Sequence, residues 1–118
     1  MTLSIEGTVA AHLDAWNAPD GPDREKAIAD LYSADVVIGE PGAGYRGHSG
    51  MAEAISALQA QLPGTAITQS GPNQTAQDLV TYSWELSAGG QPAIATGRDV
   101  LIIRDGVITS LYVLIDAP

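Results

Sequence analysis

An aspartate stands inside an apolar, strand-like run, Gly97-Arg98-Asp99-Val100-Leu101-Ile102-Ile103. A carboxyl group among residues that avoid water is either the partner in a structural hydrogen bond or an acid whose proton affinity has been moved for chemistry. Two further side chains can carry protons. His12 falls on the same side of a helical wheel as Ile5, Val9, Leu13 and Trp16, where an imidazole is either a core residue with one hydrogen bond or a proton carrier. Glu40 follows the β-branched run Val36-Val37-Ile38 and precedes Pro41-Gly42, the place of a solvated loop acid or of a site carboxylate. Trp16, Tyr32, Tyr82 and Trp84 have the size and flatness to line a pocket for an apolar ligand, and their spacing fits core packing equally well. His48, after Tyr45-Arg46-Gly47, reads as a helix-start residue and is left out of the candidate site.

Composition narrows the chemistry. The 118 residues fit one domain spanning 1–118, with 45% hydrophobic and 16% charged side chains, a globular balance. The formal charge is −9, with Arg24, Lys26, Arg46, Arg98 and Arg104 as the only cations. Nucleic acid and anionic membranes, which are bound through clustered Lys and Arg, are therefore unexpected partners. Cysteine is absent, which excludes disulfides, zinc ribbons and thiolate catalysis. With only two histidines, far apart in sequence, no metal site and no cofactor are expected. The opening Met-Thr-Leu-Ser-Ile-Glu-Gly has no basic stretch leading into an apolar one, and no run approaches the roughly 18–20 residues that span a bilayer. A cytoplasmic protein is the expectation.

The elements that must position these residues follow from periodicity and turn chemistry. Helical spacing predicts a first helix from Ser4 to Asn17, broken by Ala18-Pro19-Asp20-Gly21. Pro22, Asp23 and Glu25 supply a helix start, and the second helix carries Ala27, Ile28, Leu31 and Tyr32 on one face. Val36 to Ile38 is a short strand leading into a glycine-rich loop from Pro41 to Gly50. Met51, Ile55, Leu58 and Leu62 mark a third helix, closed by Pro63-Gly64. Thr65 to Gly71 is a weak strand, and Asp78 to Ser87 a strong one, with Val80, Tyr82, Trp84 and Leu86 alternating against Thr81, Ser83 and Glu85. Gly89-Gly90 turns the chain into a strand from Pro92 to Arg104, and Asp105-Gly106 into a last strand from Val107 to Ile115. Three helices then an antiparallel meander make an α+β fold with the helices covering one sheet face. The last two strands are apolar on both sides, Leu101 and Ile103 against Val100 and Ile102, and Leu111, Val113 and Ile115 against Ile108, Tyr112 and Leu114. The uncovered face predicts a homodimer through the open sheet.

This order, with Leu31-Tyr32-Ser33-Ala34-Asp35-Val36-Val37-Ile38, then Gly47-His48-Ser49-Gly50-Met51-Ala52-Glu53-Ala54-Ile55, and Gly97-Arg98-Asp99-Val100 ahead of Asp105-Gly106-Val107-Ile108, resembles the cone-shaped NTF2-like (cystatin-like) superfamily. Its SnoaL-like polyketide cyclases and ketosteroid isomerases are the branches it is most similar to. The resemblance covers nearly the whole chain and speaks to fold more than to function, since the scaffold serves isomerases, cyclases, dehydratases, epoxide hydrolases and binders. It implies that Asp99 holds the position where isomerases keep a protonated acid that hydrogen-bonds the substrate oxyanion, and where SnoaL-like cyclases keep their acid–base aspartate. It places Glu40 at the isomerase general base, normally an aspartate, and His12 at the oxyanion tyrosine. Tyr32 matches a tyrosine that supports the oxyanion network. The Arg and two Asp of limonene-epoxide hydrolases fall on Val80, Tyr82 and Val113, so that activity is not implied. The reading is a small enzyme without cofactor, acting on an apolar, carbonyl-bearing molecule. Glu40 or His12 takes a proton beside the carbonyl, and Asp99, held neutral, hydrogen-bonds the enolate. A non-catalytic ligand-binding or dimeric interaction domain is the alternative.

Overall fold

The computed structural model describes residues 3–117; residues 1, 2 and 118, which the single-domain expectation includes, lie outside them. Helix α1 runs Ile5–Asn17, with Ser4 as its N-cap accepting from the Gly7 amide at 3.0 Å, the capping its side-chain oxygen suits. Val9, His12, Leu13 and Trp16 form the buried stripe that the spacing predicts, but Ile5, expected with them, stands exposed in the first turn. Helix α2, Pro22–Leu31, starts with proline at a first-turn position and acids beside it. Tyr32, expected on the face of that helix, is instead the first residue of strand β1, Tyr32–Glu40, with extended φ −111° and ψ 147°. Helix α3 spans Gly47–Gln61.

The presumed loop after Glu40 hides a strand. β2, Ala43–Arg46, folds back on β1, with Glu40 opposite Ala43 across the turn Pro41-Gly42. Gly42 has φ +84° there, the left-handed geometry that a Pro-Gly turn assigns to its glycine. Strands β3, Thr65–Gln69, β4, Gln74–Ala76, β5, Leu79–Ala88, β6, Ala95–Arg104, and β7, Val107–Ile115, complete the sheet. The order is β2-β1-β7-β6-β5-β3, with β4 also against β5. The short β4 carries no apolar alternation and was not foreseen; the sixth strand begins at Ala95 rather than Pro92.

Three helices on an open, curved sheet is the predicted α+β class, with one pairing of the other sense. β1 lies parallel to β7, so the sheet is mixed rather than wholly antiparallel. Parallel neighbours need a long crossover, and here everything between β1 and β7 supplies it. A bulge also changes a face: Ile102 pairs with Ser110 and Ile103 with Ile108, leaving Thr109 as the extra residue. The bulge brings Ile108 to the inner face with Leu111, both fully buried, where strict alternation set them on opposite faces.

The core lies between the helices and the inner sheet face, where Val36, Ile38, Val80, Leu101, Leu111, Met51 and Ile55 are at most 2% exposed. Arg24 is buried too, its guanidinium bonded to Asp20 and to Ser56 at 3.0 Å each, which ties α2 to α3. On the outer face Tyr112 and Leu114 are exposed. No helix among the described residues is long and apolar enough to cross a membrane.

Candidate functional site: a carboxylate network at the floor of an apolar cavity

Asp99 occupies the middle of the inner face, on β6, with Tyr82 of β5 as one cross-strand partner and Val113 of β7 as the other. The alternation of β5 brings Tyr82 to the same face, and its hydroxyl donates to Asp99 Oδ2 at 2.6 Å. From above, the α1 stripe lowers His12 onto the sheet, with Nε2 3.2 Å from the same Oδ2 and Nδ1 2.5 Å from the Tyr32 hydroxyl. Asp99 and His12 are 5% and 2% exposed, so the chain Tyr32, His12, Asp99, Tyr82 is buried.

The two phenols set the direction of every hydrogen bond in this chain. Burial above all pushes both Tyr32 and Tyr82 well above the usual phenol range, and Asp99's negative charge adds to the rise at each; the Trp16 indole N–H opposes it at Tyr32. Both therefore keep their protons and are available as donors. Tyr82 gives its proton to Oδ2. The Tyr32 hydroxyl proton has no other acceptor than His12 Nδ1 among the described residues; given there, it leaves the imidazole proton on Nε2, directed at Oδ2. Oδ2 thus receives two donors. Among the described residues Oδ1 has no protein partner and is not sealed from solvent, and Asp99 lines the cavity, so Oδ1 is the oxygen a ligand there can reach.

That cavity has a volume of about 370 Å³, within the range of small-molecule sites. Its wall is mostly apolar: Trp16 from α1, Ala54 and Leu58 from α3, Trp84 and Leu86 from β5, and Leu111 from β7. Glu40 lies at its rim and is half-buried. It follows Gly39, which pairs with Tyr112, just as Asp99 pairs with Val113, so the two acids sit level on strands two apart, about 10 Å between backbones. Burial first, and the Asp99 charge second, raise the Glu40 carboxyl above the usual range.

The expected site residues are thus brought to one place in two layers. Asp99, Glu40, His12, Trp16 and Trp84 line the cavity. Tyr32 and Tyr82, expected on the substrate-binding wall, are fully buried behind it, since their hydroxyls are drawn to His12 and Asp99. His12, expected as a base, has both ring nitrogens committed within the network; it positions Asp99. His48 stands in the first turn of α3, with Nε2 2.8 Å from the Tyr32 carbonyl. The wall also contains Tyr45 and Gln61, which sequence reasoning missed. Gln61 continues the Ala54, Leu58 face of α3 at helical spacing, and Tyr45 would have emerged had Pro41-Gly42 been read as a hairpin turn. Among the described residues no group of His, Cys, Asp or Glu side chains is disposed to hold a metal ion.

Solved structures share this architecture. A SnoaL-like family protein from Agrobacterium tumefaciens strain C58 superimposes with a TM-score of 0.86 at 22% identity, over 93% of this chain and 95% of that one. A protein from Sinorhizobium meliloti, proposed to be a polyketide cyclase, matches with a TM-score of 0.72 at 18% identity, over 90% and 92% of the two chains. A hypothetical protein of ketosteroid isomerase-like fold from Catenulispora acidiphila, solved with trimethylamine, gives 0.74 at 21% identity, over 93% and 85%. At these identities the likeness is one of fold. No curated protein matches the chain. The model of the SnoaL-like domain matches residues 9–111, and the chain belongs to that family.

Proposed function

We propose that the protein is a small acid–base enzyme of isomerase or cyclase type, acting on an apolar, carbonyl-bearing molecule held in the cavity. The observation that carries this reading is the asymmetry of Asp99: Oδ2 is saturated by the Tyr82 hydroxyl and the His12 Nε2–H, while Oδ1 is the oxygen a ligand in the apolar enclosure can reach. A proton exchanged with a ligand can sit only on Oδ1. Such a carboxyl, its plane fixed from behind, takes a proton from the carbon beside a carbonyl and returns it at a second carbon.

This reverses one element of what the resemblance implied. Two donors on Oδ2 suit a group that accepts a proton, whereas the isomerase pattern has a neutral donor there. Glu40 enters as the second carboxyl of the same cavity, whose charge responds to that of Asp99. The Tyr45 hydroxyl and Gln61 amide on the wall are groups able to hydrogen-bond an enolate oxygen.

Deuterium incorporation beside the carbonyl of 1-decalone, followed by NMR in D₂O, tests the reading. Exchange above the buffer rate that disappears in Asp99→Ala supports it. Exchange no faster than buffer, with the ketone shown to be bound, favours the ligand-binding alternative. In the same reading the exposed Tyr112 and Leu114 of the outer face meet a second copy of the chain. Sedimentation expected to show a dimer that Leu114→Lys dissociates checks that part.

A further inference from the structure

The cavity contains two carboxyl groups and nothing to balance them. None of the five arginine and lysine side chains lines it. Four have partners elsewhere: Arg24 bonds Asp20 and Ser56, Lys26 bonds Asp30, Arg104 bonds Asp78, and Arg98 reaches the Thr81 and Ser83 hydroxyls on the outer face. His12 is the one basic group on the wall, and Tyr32 and Asp99 take both its nitrogens. Two like charges in an apolar enclosure repel and are poorly solvated. Either a proton or a ligand must supply the missing positive charge.

The aromatic wall is suited to the second solution. Trp16 and Trp84 both line the cavity, yet their Nε1 atoms are sealed from solvent. The surfaces they present to a ligand are therefore ring carbons. Trp84 is held in that attitude by Gly97, where a Cβ would stand 2.5 Å from the indole Cζ2 and 2.0 Å from the Leu114 carbonyl. An aromatic face and a carboxylate about one enclosure are what a desolvated cation binds to.

We infer that the cavity takes an apolar ligand bearing a protonated or quaternary ammonium group, with the charge paired to Glu40 and set against the indole rings. The inference deepens the proposed function and rests on it for where the ligand sits. With Glu40 occupied by the ammonium, proton transfer is left to Asp99, which can both take and return a proton. Carboxylate- or phosphate-bearing molecules are excluded, because they would meet two groups of their own sign.

The test uses three probes of one size class and differing charge: phenyltrimethylammonium, its neutral isostere tert-butylbenzene, and the anion 4-tert-butylbenzoate. Trp16 and Trp84 are the only tryptophans and both stand on the wall, so intrinsic fluorescence reads binding directly. The cation is expected to bind about tenfold more tightly than the neutral isostere, with the anion weakest. In Glu40→Gln that preference should fall to about threefold or less. In the unmutated protein it should strengthen as pH rises and Glu40 loses its proton, while the neutral probe stays level. Should Glu40→Gln not fold, the pH series decides alone. Equal binding of cation and isostere, or a preference unchanged in Glu40→Gln, overturns the inference and leaves the proton-transfer reading standing. If none of the three binds, both fall.

Discussion

The floor and the rim of the cavity hold their carboxyl groups in opposite ways. At the floor Asp99 is fixed from two sides, by Tyr82 on the neighbouring strand and by His12 on the helix above, and His12 is itself fixed by Tyr32. At the rim Glu40 ends β1 beside the Pro41-Gly42 turn, half-buried. In the proposed mechanism the first arrangement fixes where a proton is exchanged, because the network directs its donors at Oδ2 and leaves Oδ1 to a ligand. The second fixes no direction. It leaves a charge that answers to its surroundings, as the joint effect of burial and of Asp99 on Glu40 shows. A positioned group suits chemistry, and a responsive one suits the recognition of charge.

The contrast breaks first at Asp99. Both Asp99→Asn and Asp99→Ala should slow deuterium exchange into 1-decalone by about 10²–10⁴-fold, because neither side chain takes a proton. A much smaller loss in Asn than in Ala would mark Asp99 as a neutral donor instead. Next comes Tyr82→Phe, which removes one of the two donors on Oδ2 while keeping the ring. Exchange should slow about tenfold, and denaturant unfolding should show a loss of about 1–2 kcal/mol. An unchanged rate would mean that His12 alone orients the carboxyl. Tyr32→Phe, one bond further from the ligand, should slow exchange by about threefold, with its main effect on the imidazole proton, which is freed to occupy either nitrogen. Equal effects of the two tyrosine variants would remove the ordering proposed for the chain.

The smallest effect belongs to the rim. Glu40 binds its proton more tightly in the folded than in the unfolded chain. Its contribution to stability is therefore fully present below the ordinary glutamate range and is lost as pH rises through the raised folded value. Glu40→Gln should lack that loss. Thermal unfolding should find the variant and the parent diverging with rising pH, the variant the more stable. Parallel curves across that window would mean that the rim carboxyl is solvated like any surface acid.

Much of the floor was legible in the sequence, for a physical reason. Helical spacing fixed His12 and Trp16 to one buried stripe, and alternation fixed Tyr82 and Trp84 to one buried face. An acid in the apolar strand had to find partners among them. What could not be read was depth. Periodicity says which face a side chain occupies and nothing about which neighbour it reaches for, so Tyr32 and Tyr82 were assigned to the wall although they stand behind it. Long-range pairing was equally hidden. The parallel contact of β1 with β7 depends on tertiary packing, and the bulge that turns Ile108 inward is marked only by the polar pair Thr109-Ser110, which strict alternation reads across. The rim suffered most, because Pro41-Gly42 looked like part of a glycine-rich loop. The hairpin it forms is what brings Tyr45 to the cavity.

In the proposed mechanism the network saturates Oδ2 and leaves Oδ1 as the one oxygen of Asp99 that exchanges protons with a ligand. It depends on where the His12 proton resides. Long-range ¹H–¹⁵N NMR of the imidazoles reads this directly, and His48→Gln assigns the two histidine spin systems. His12 is expected to carry its proton on Nε2, with Nδ1 showing the shift of an unprotonated nitrogen that accepts a hydrogen bond. A proton found on Nδ1 alone would leave Nε2 to accept from Asp99 and place the acid's proton on Oδ2, so that Oδ1 would not be the proton-exchanging oxygen.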